Sequence, residues 1–94
     1  MELRDLKQFE LDRVVNLFRA LGYSVVSSEF KDEKIGVSFE KVVPGMGPDI
    51  KKIESDRLSV MLRSLDWVPI KSEYPENKIV VTYEKVVTGE VSRV

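Results

Sequence analysis

The sequence predicts an α+β fold in which one αββ unit occurs twice, and three observations support this prediction. Residues 5–45 align with residues 49–89 at an offset of 44 without a gap, and 17 of the 41 aligned positions are identical. Each half begins with apolar residues at helical spacing and continues with two segments of alternating polarity. Short polar, proline or glycine stretches separate these segments. We call the residue 44 positions away the counterpart of a given residue.

Each half is expected to open with an amphipathic helix. Its apolar positions recur at steps of three and four, as one face of a helix requires. They are Leu6, Phe9, Val14, Leu17, Phe18 and Leu21 in the first half, and Ile50, Ile53, Leu58, Met61, Leu62 and Leu65 in the second. Asp5 is expected to cap the first helix and Gly22 to end it. Pro48 and Asp49 mark the start of the second helix.

A period of two follows each helix and predicts a β-hairpin. In the first strand, Val26, Ser28 and Phe30 are expected to share one face, and their counterparts should do the same. The loops fall at 31–33 and 75–77, and the second strands cover 35–43 and 79–87. The predicted element order is therefore α-β-β-α-β-β.

The four strands are expected to form one antiparallel sheet with both helices on one face. Pro69 and Pro75 favour an edge position for the first strand of the second half, and the more apolar second strands suit the centre. Two central strands running antiparallel would place a pseudo-twofold axis between them. This order resembles a ferredoxin-like βαββαβ fold in a circularly permuted sense, with its first strand moved to the end. The alternative is an intertwined dimer whose two chains exchange hairpins.

The chain is expected to be a single domain, 1–94, made of the two repeats. Prolines and glycines in 44–48 predict a stiff linker between them. An anion-binding loop at the start of a helix is the alternative, although Asp49 as a cap would take the position of the anion. The tail 88–94 is expected either to extend a strand or dock through Val91 and Val94, or to be frayed.

The chain contains no cysteine and no histidine, which excludes several kinds of site. Disulfides, zinc–thiolate sites, thiol catalysis and histidine acid–base chemistry all need these residues. We therefore expect no catalytic activity, no metal and no cofactor. A net charge of −1 and the lack of a long apolar run predict a cytoplasmic protein that enters no membrane. Abundant Lys and Glu with few Asn and Gln are typical of a thermophile.

Two charged residues inside the apolar stripe of each helix are the candidate binding site: Glu10 and Arg13, with their counterparts Glu54 and Arg57. They can form surface pairs within each helix. They can also form reciprocal pairs across a helix–helix seam, Glu10 with Arg57 and Glu54 with Arg13. In the third interpretation the two arginines converge on an acidic ligand.

Two further counterpart pairs each allow two interpretations. Glu40 and Glu84 on the central strands could lie close enough to hold a cation, but a solvated ladder of charges is the ordinary explanation. Tyr23 and Trp67 follow the two helices. They are expected to close the core there, with a surface hot spot as the alternative.

These patterns favour a small interaction or oligomerisation module whose partner is another protein or a second copy of the chain. The short edge strands offer unpaired backbone for strand addition. Nucleic-acid binding is the first alternative, although the acidic and hydroxyl-bearing open face suits phosphate poorly. A ferredoxin-like domain that senses a small ligand is the second.

Overall fold

A computed structural model describes residues 3–31 and 33–87 of the chain. The helices are α1 (Leu3–Ala20) and α2 (Pro48–Arg63). The strands are β1 (Ser24–Lys31), β2 (Lys34–Val42), β3 (Val68–Glu73) and β4 (Lys78–Val86). The predicted element order is therefore confirmed. Residue 32 of the first hairpin loop and the tail 88–94 lie outside the described residues.

The strands form one antiparallel sheet in the order β1-β2-β4-β3, so the second strand of each hairpin lies in the centre, as predicted. The two central strands pair over nine residues each. In the middle of this ladder Ser38 lies opposite its own counterpart, Thr82, and their hydroxyl oxygens are 2.9 Å apart. The register is therefore symmetric about this pair.

One face of the central strands forms the middle of the hydrophobic core. Its side chains are at most 1% exposed; they are Ile35, Val37, Phe39, Ile79, Val81 and Tyr83. α1 packs on β1 and β2, and α2 packs on β3 and β4. Phe18 of α1 stacks on Phe39 with ring centroids 3.9 Å apart, and the ring of Tyr23 meets Phe18 edge-on at 5.2 Å.

The predicted apolar stripe of each helix is only partly buried. Phe9 and its counterpart Ile53 are 55% and 56% exposed, and Leu21 and Leu65 are also exposed. The core side of α1 instead includes Leu11, which the predicted stripe omitted. At 100° per residue, Phe9 and Ile53 lie on the side of each helix opposite its buried residues, so the true buried stripe is rotated relative to the predicted one. No Cα atom of α1 lies within 8 Å of one of α2, so the two helices do not cover each other either.

Each edge strand carries a β-bulge at the same place in its sequence. The pairing of β1 shifts at Val26, and the pairing of β3 shifts at its counterpart Ile70. Beyond the first bulge, Ser28 and Phe30 lie opposite buried residues of β2, as predicted. A bulge inserts one extra residue, so the predicted alternation fails at Val26.

Both helices end in a Schellman motif. After α1, the N–H of Tyr23 donates to the carbonyl of Phe18 at 2.9 Å, and Gly22 has φ of 91°. The counterparts of the bonded residues make the same bond after α2, also at 2.9 Å, where Asp66 takes the place of Gly22 with φ of 69°. The prediction that Gly22 ends α1 is confirmed.

The predicted helix starts need correction. α1 begins at Leu3, so Asp5 lies within its first turn and does not cap it. The N-cap of α2 is Gly47, Pro48 follows in the first turn, and no side chain makes a capping hydrogen bond. Asp49 therefore acts on this helix only through its charge near the positive end of the helix dipole. Neither helix of the described part is both long and apolar enough to cross a membrane.

The two helix ends predict opposite responses to substitution. Gly22→Ala should lower the free energy of unfolding by about 1 kcal/mol, because a side chain is strained at positive φ. Asp66→Gly should leave the free energy of unfolding unchanged, because relief of the strain at positive φ offsets the flexibility that glycine adds to the unfolded chain. Urea denaturation of both variants measures these changes, and equal losses of stability would contradict this account.

Candidate functional site

Glu10 makes its closest ion pair with a strand of the opposite half. Its Oε1 accepts a hydrogen bond from Nζ of Lys85 on β4 at 2.8 Å. Both side chains are mostly buried, with 22% and 16% of their surface exposed. Arg13 lies farther from Glu10, at 3.8 Å, and is 59% exposed. Lys85 is therefore the main partner, and the predicted i,i+3 surface pair exists beside it.

Glu54 repeats this arrangement in α2 with the counterpart lysine. Its Oε2 accepts a hydrogen bond from Nζ of Lys41 on β2 at 3.2 Å. The same oxygen accepts a second bond from the Tyr23 hydroxyl at 2.9 Å. Nζ of Lys41 also lies 5.5 Å from the centre of the Tyr23 ring. Each glutamate thus connects its helix to the central strand of the other half.

The predicted pairs Glu10–Arg57 and Glu54–Arg13 are wrong. The two helices are too far apart for a seam, and the two lysines take the positions expected for arginine. The arginines do not converge either. Arg13 lines one cavity and Arg57 lines another.

These two cavities are built from counterpart residues. The smaller one has a volume of about 250 Å³ and is lined by Glu10, Arg13, Val14, Leu17, Leu65, Trp67 and Lys85. The larger one has a volume of about 530 Å³ and is lined by Leu21, Tyr23, Lys41, Ile50, Ile53, Glu54, Arg57, Leu58 and Met61. Every residue of the smaller cavity has its counterpart in the larger one. Only Ile50 and Ile53 are additional, and they widen the larger cavity.

The two cavities also differ in polarity at Tyr23 and its counterpart Trp67. Both rings are buried, at 3% and 2% exposure, which confirms that they close the core. Burial raises the pKa of the Tyr23 phenol above its ordinary value, and the hydrogen bond and charge of Glu54 raise it further. The hydroxyl therefore stays protonated and can donate to Glu54. Trp67 lacks this hydroxyl. In the smaller cavity the second partner of the glutamate is Arg13 instead.

Lys41 and Lys85 are site residues that the motifs of the sequence did not predict. Alternation gives the missing signal: these lysines come two positions after Phe39 and Tyr83, whose side chains are buried under the helices. Their own cross-strand partners, Ile79 and Ile35, are fully buried as well. Lys41 and Lys85 therefore belong to the helix-covered face.

The open face of the sheet carries paired charges. Lys78 lies 3.5 Å from Glu40, and Lys34 lies 3.9 Å from Glu84. Glu40 is opposite Val80 and Glu84 is opposite Gly36, so the two carboxylates are not direct cross-strand neighbours. Residues 3–31 and 33–87 contain no cluster of three or more side chains able to hold a metal ion.

Comparison with known proteins assigns no family to the chain: no family model matches it, and no curated protein or solved structure is significantly similar to it.

A double-mutant cycle tests the cross-half pair. Glu10→Gln and Lys85→Met should each destabilise the protein, because each leaves a partly buried charge without its partner. Their coupling energy should be about 0.5–1.5 kcal/mol. The matched cycle of Glu10→Gln with Arg57→Gln should give a coupling near zero, because these residues lie in different cavities. Urea unfolding measures both cycles, and equal coupling in the two would contradict the observed pairing.

Alkaline pH tests the state of the tyrosines. Burial is the main cause that raises the pKa of Tyr23. Burial also raises the pKa of Tyr83, although the hydrogen bond with the Ser59 hydroxyl acts in the opposite direction. An unfolded tyrosine loses its proton near pH 10, whereas these two keep theirs in the folded state. Their contribution to stability is complete below about pH 10 and is lost as the pH rises above it.

The variant Tyr23→Phe isolates one of these groups. Below about pH 10 it should be less stable than the wild-type protein, because Glu54 loses a donor. Above that pH the difference should shrink, because only the wild-type protein pays for the retained proton. Urea unfolding at a series of pH values measures this, and a difference that stays constant with pH would count against it.

Proposed function

We propose that this chain is a self-association module without catalytic activity, in which two copies join through the free edges of their β1 strands. The observation that carries this proposal is the edge itself: all eight residues of β1 are exposed. An exposed edge strand presents unpaired N–H and C=O groups that a second strand can satisfy. Two antiparallel β1 strands would join two four-stranded sheets into one continuous sheet.

β1 is better suited to this pairing than β3, the other edge. β1 contains no proline, and after its bulge five residues, 27–31, pair regularly with β2. β3 contains Pro69, is followed by Pro75, and has only three regular residues after its bulge, 71–73. Proline cannot donate a hydrogen bond to an added strand. Pairing through one edge only yields a closed dimer and not an open fibre.

The side chains of β1 support self-pairing. In an antiparallel arrangement centred on Phe30, residues 29–31 of the two β1 strands would pair, so that Glu29 of one copy lies opposite Lys31 of the other and the reverse pair forms by symmetry. Within one chain, Nζ of Lys31 lies 3.3 Å from Oε2 of Glu29. Both side chains are exposed, at 59% for Glu29 and 67% for Lys31. Opposite charges and aromatic residues facing each other across strands are stabilising pairs. Phe30 is itself 39% exposed, and Nζ of Lys7 lies 5.8 Å from the centre of its ring.

We further propose that the chain is one domain of two duplicated αββ units, 5–45 and 49–89, related by a pseudo-twofold axis and joined by the linker 44–48. The ladder centred on Ser38 and Thr82 supports this, as do the two cavities built from counterparts. The strand order β1-β2-β4-β3 is the one that a ferredoxin-like fold acquires when its first strand is moved to the end.

The charges on the sheet favour protein association over nucleic-acid binding. Lys31 and Lys71 each lie 3.3 Å from a glutamate on the same strand, and Lys34 and Lys78 lie within 4 Å of glutamates across the sheet. Lysines that are already paired with carboxylates have little charge left for phosphate.

A charge swap tests the β1 contact. Glu29→Lys should shift the dimer towards monomer by about tenfold in dissociation constant, because it places two lysines opposite each other at two symmetric positions. Adding Lys31→Glu should restore the dimer, because the swapped charges are again complementary. Sedimentation equilibrium at several protein concentrations measures these constants.

The matched control is Glu73→Lys on β3, which changes the counterpart residue and the net charge by the same amount. It should leave the dimer intact. A wild-type chain that stays at its monomer mass of 10.8 kDa at all concentrations would refute the proposal. A Glu73→Lys variant that dissociates as much as Glu29→Lys would refute the choice of edge.

A further inference from the structure

We propose that the larger cavity binds a monoanionic amphiphile, a carboxylate that carries an aliphatic chain. This site goes beyond the self-association proposed above and does not depend on it. Its volume of about 530 Å³ falls within the range of about 300–1,000 Å³ that is typical of small-molecule sites, whereas the smaller cavity, at about 250 Å³, falls below it.

The apolar wall of this cavity supplies a surface for the chain of the ligand. Leu21, Ile50, Ile53 and Met61 line it, and the two isoleucines are 55% and 56% exposed. Isolated exposed apolar residues are ordinary, but these four residues line one concave site. An aliphatic chain lying along the wall would remove this surface from water.

The charged groups of the cavity leave one positive charge uncompensated. Lys41 and Arg57 are cationic and Glu54 is anionic, so the lining has an excess of one positive charge. Glu54 is already satisfied, because Lys41 and the Tyr23 hydroxyl both donate to its Oε2 at 3.2 and 2.9 Å. Among the described residues, none forms a hydrogen bond or an ion pair with Arg57.

Arg57 is therefore the group that would bind the carboxylate. A guanidinium can donate two parallel hydrogen bonds to a carboxylate, which fixes both the position and the orientation of the ligand. A single uncompensated charge favours a monoanion over a phosphate ester with two charges. Its counterpart, Arg13, lies 3.8 Å from Glu10 and so already has a carboxylate neighbour.

The methionines provide a local readout of binding. The chain has three, and Met61 lines the larger cavity while Met46 packs elsewhere against the core. With methyl-¹³C methionine, titration with decanoate should move the Met61 signal saturably and leave that of Met46 in place. Trp67 lines only the smaller cavity, so its fluorescence should stay constant.

Two arginine variants and one neutral ligand test the role of Arg57. Arg57→Gln should weaken decanoate binding about tenfold, whereas the matched variant Arg13→Gln should leave it unchanged. Decanol, which has the chain without the charge, should bind more weakly than decanoate and should not respond to Arg57→Gln. The variant Glu29→Lys should bind decanoate like the wild-type protein, which separates this site from the β1 contact.

Three results would overturn the proposal. The first is a Met61 signal that does not move with decanoate below its micelle concentration. The second is an equal loss of binding in Arg57→Gln and Arg13→Gln. The third is a decanoate-dependent change in Trp67 fluorescence at the same concentrations, which would place the ligand in the smaller cavity.

Discussion

The pairing of β2 with β4 is the constraint on which the rest of the molecule depends. Because Ser38 lies opposite Thr82, each cross-strand pair recurs between the counterparts of its two residues, as Ile35–Lys85 recurs in Ile79–Lys41. The same ladder lays the buried side chains under the helices and sets Lys41 and Lys85 toward opposite ends of the sheet. Shifting this register by one residue would turn the apolar side chains of a strand to the open face.

The core differs between the halves although the backbone pattern is the same. Phe18 stacks on Phe39 in the first half, while its counterpart Leu62 is a smaller aliphatic residue with no exposed surface. At position 23 the difference in size runs the other way, because the counterpart of this tyrosine is the larger tryptophan. Cores accept such exchanges when total volume and apolar pattern are kept. The two halves thus share their order of elements and a symmetric central register, whereas their cavities differ in size and polarity.

Much of the architecture could be predicted from the sequence because two signals agree along the chain. The change of period from helical spacing to alternation located all six elements, and the prolines around β3 placed that strand at an edge. The site was harder to predict, because a helical wheel gives the angle of Glu10 but not its distance from Arg57. That distance depends on how far apart the helices lie on the sheet, which no local pattern encodes. The bulge at Val26 was not predicted either, because the alternating pattern assumes a strand that pairs without interruption.

The glutamate–lysine pairs have a consequence for the way the two halves depend on each other. Each half holds a glutamate on its helix and a lysine on its inner strand, yet neither glutamate pairs with the lysine of its own half. A fragment ending near residue 43 would therefore have both an acid and a base without their native partners. In a pair of identical fragments, the glutamate of each copy could pair with the lysine of the other. A half-length chain with this sequence pattern would thus be suited to folding as an obligate pair, and joining the halves makes that encounter independent of protein concentration.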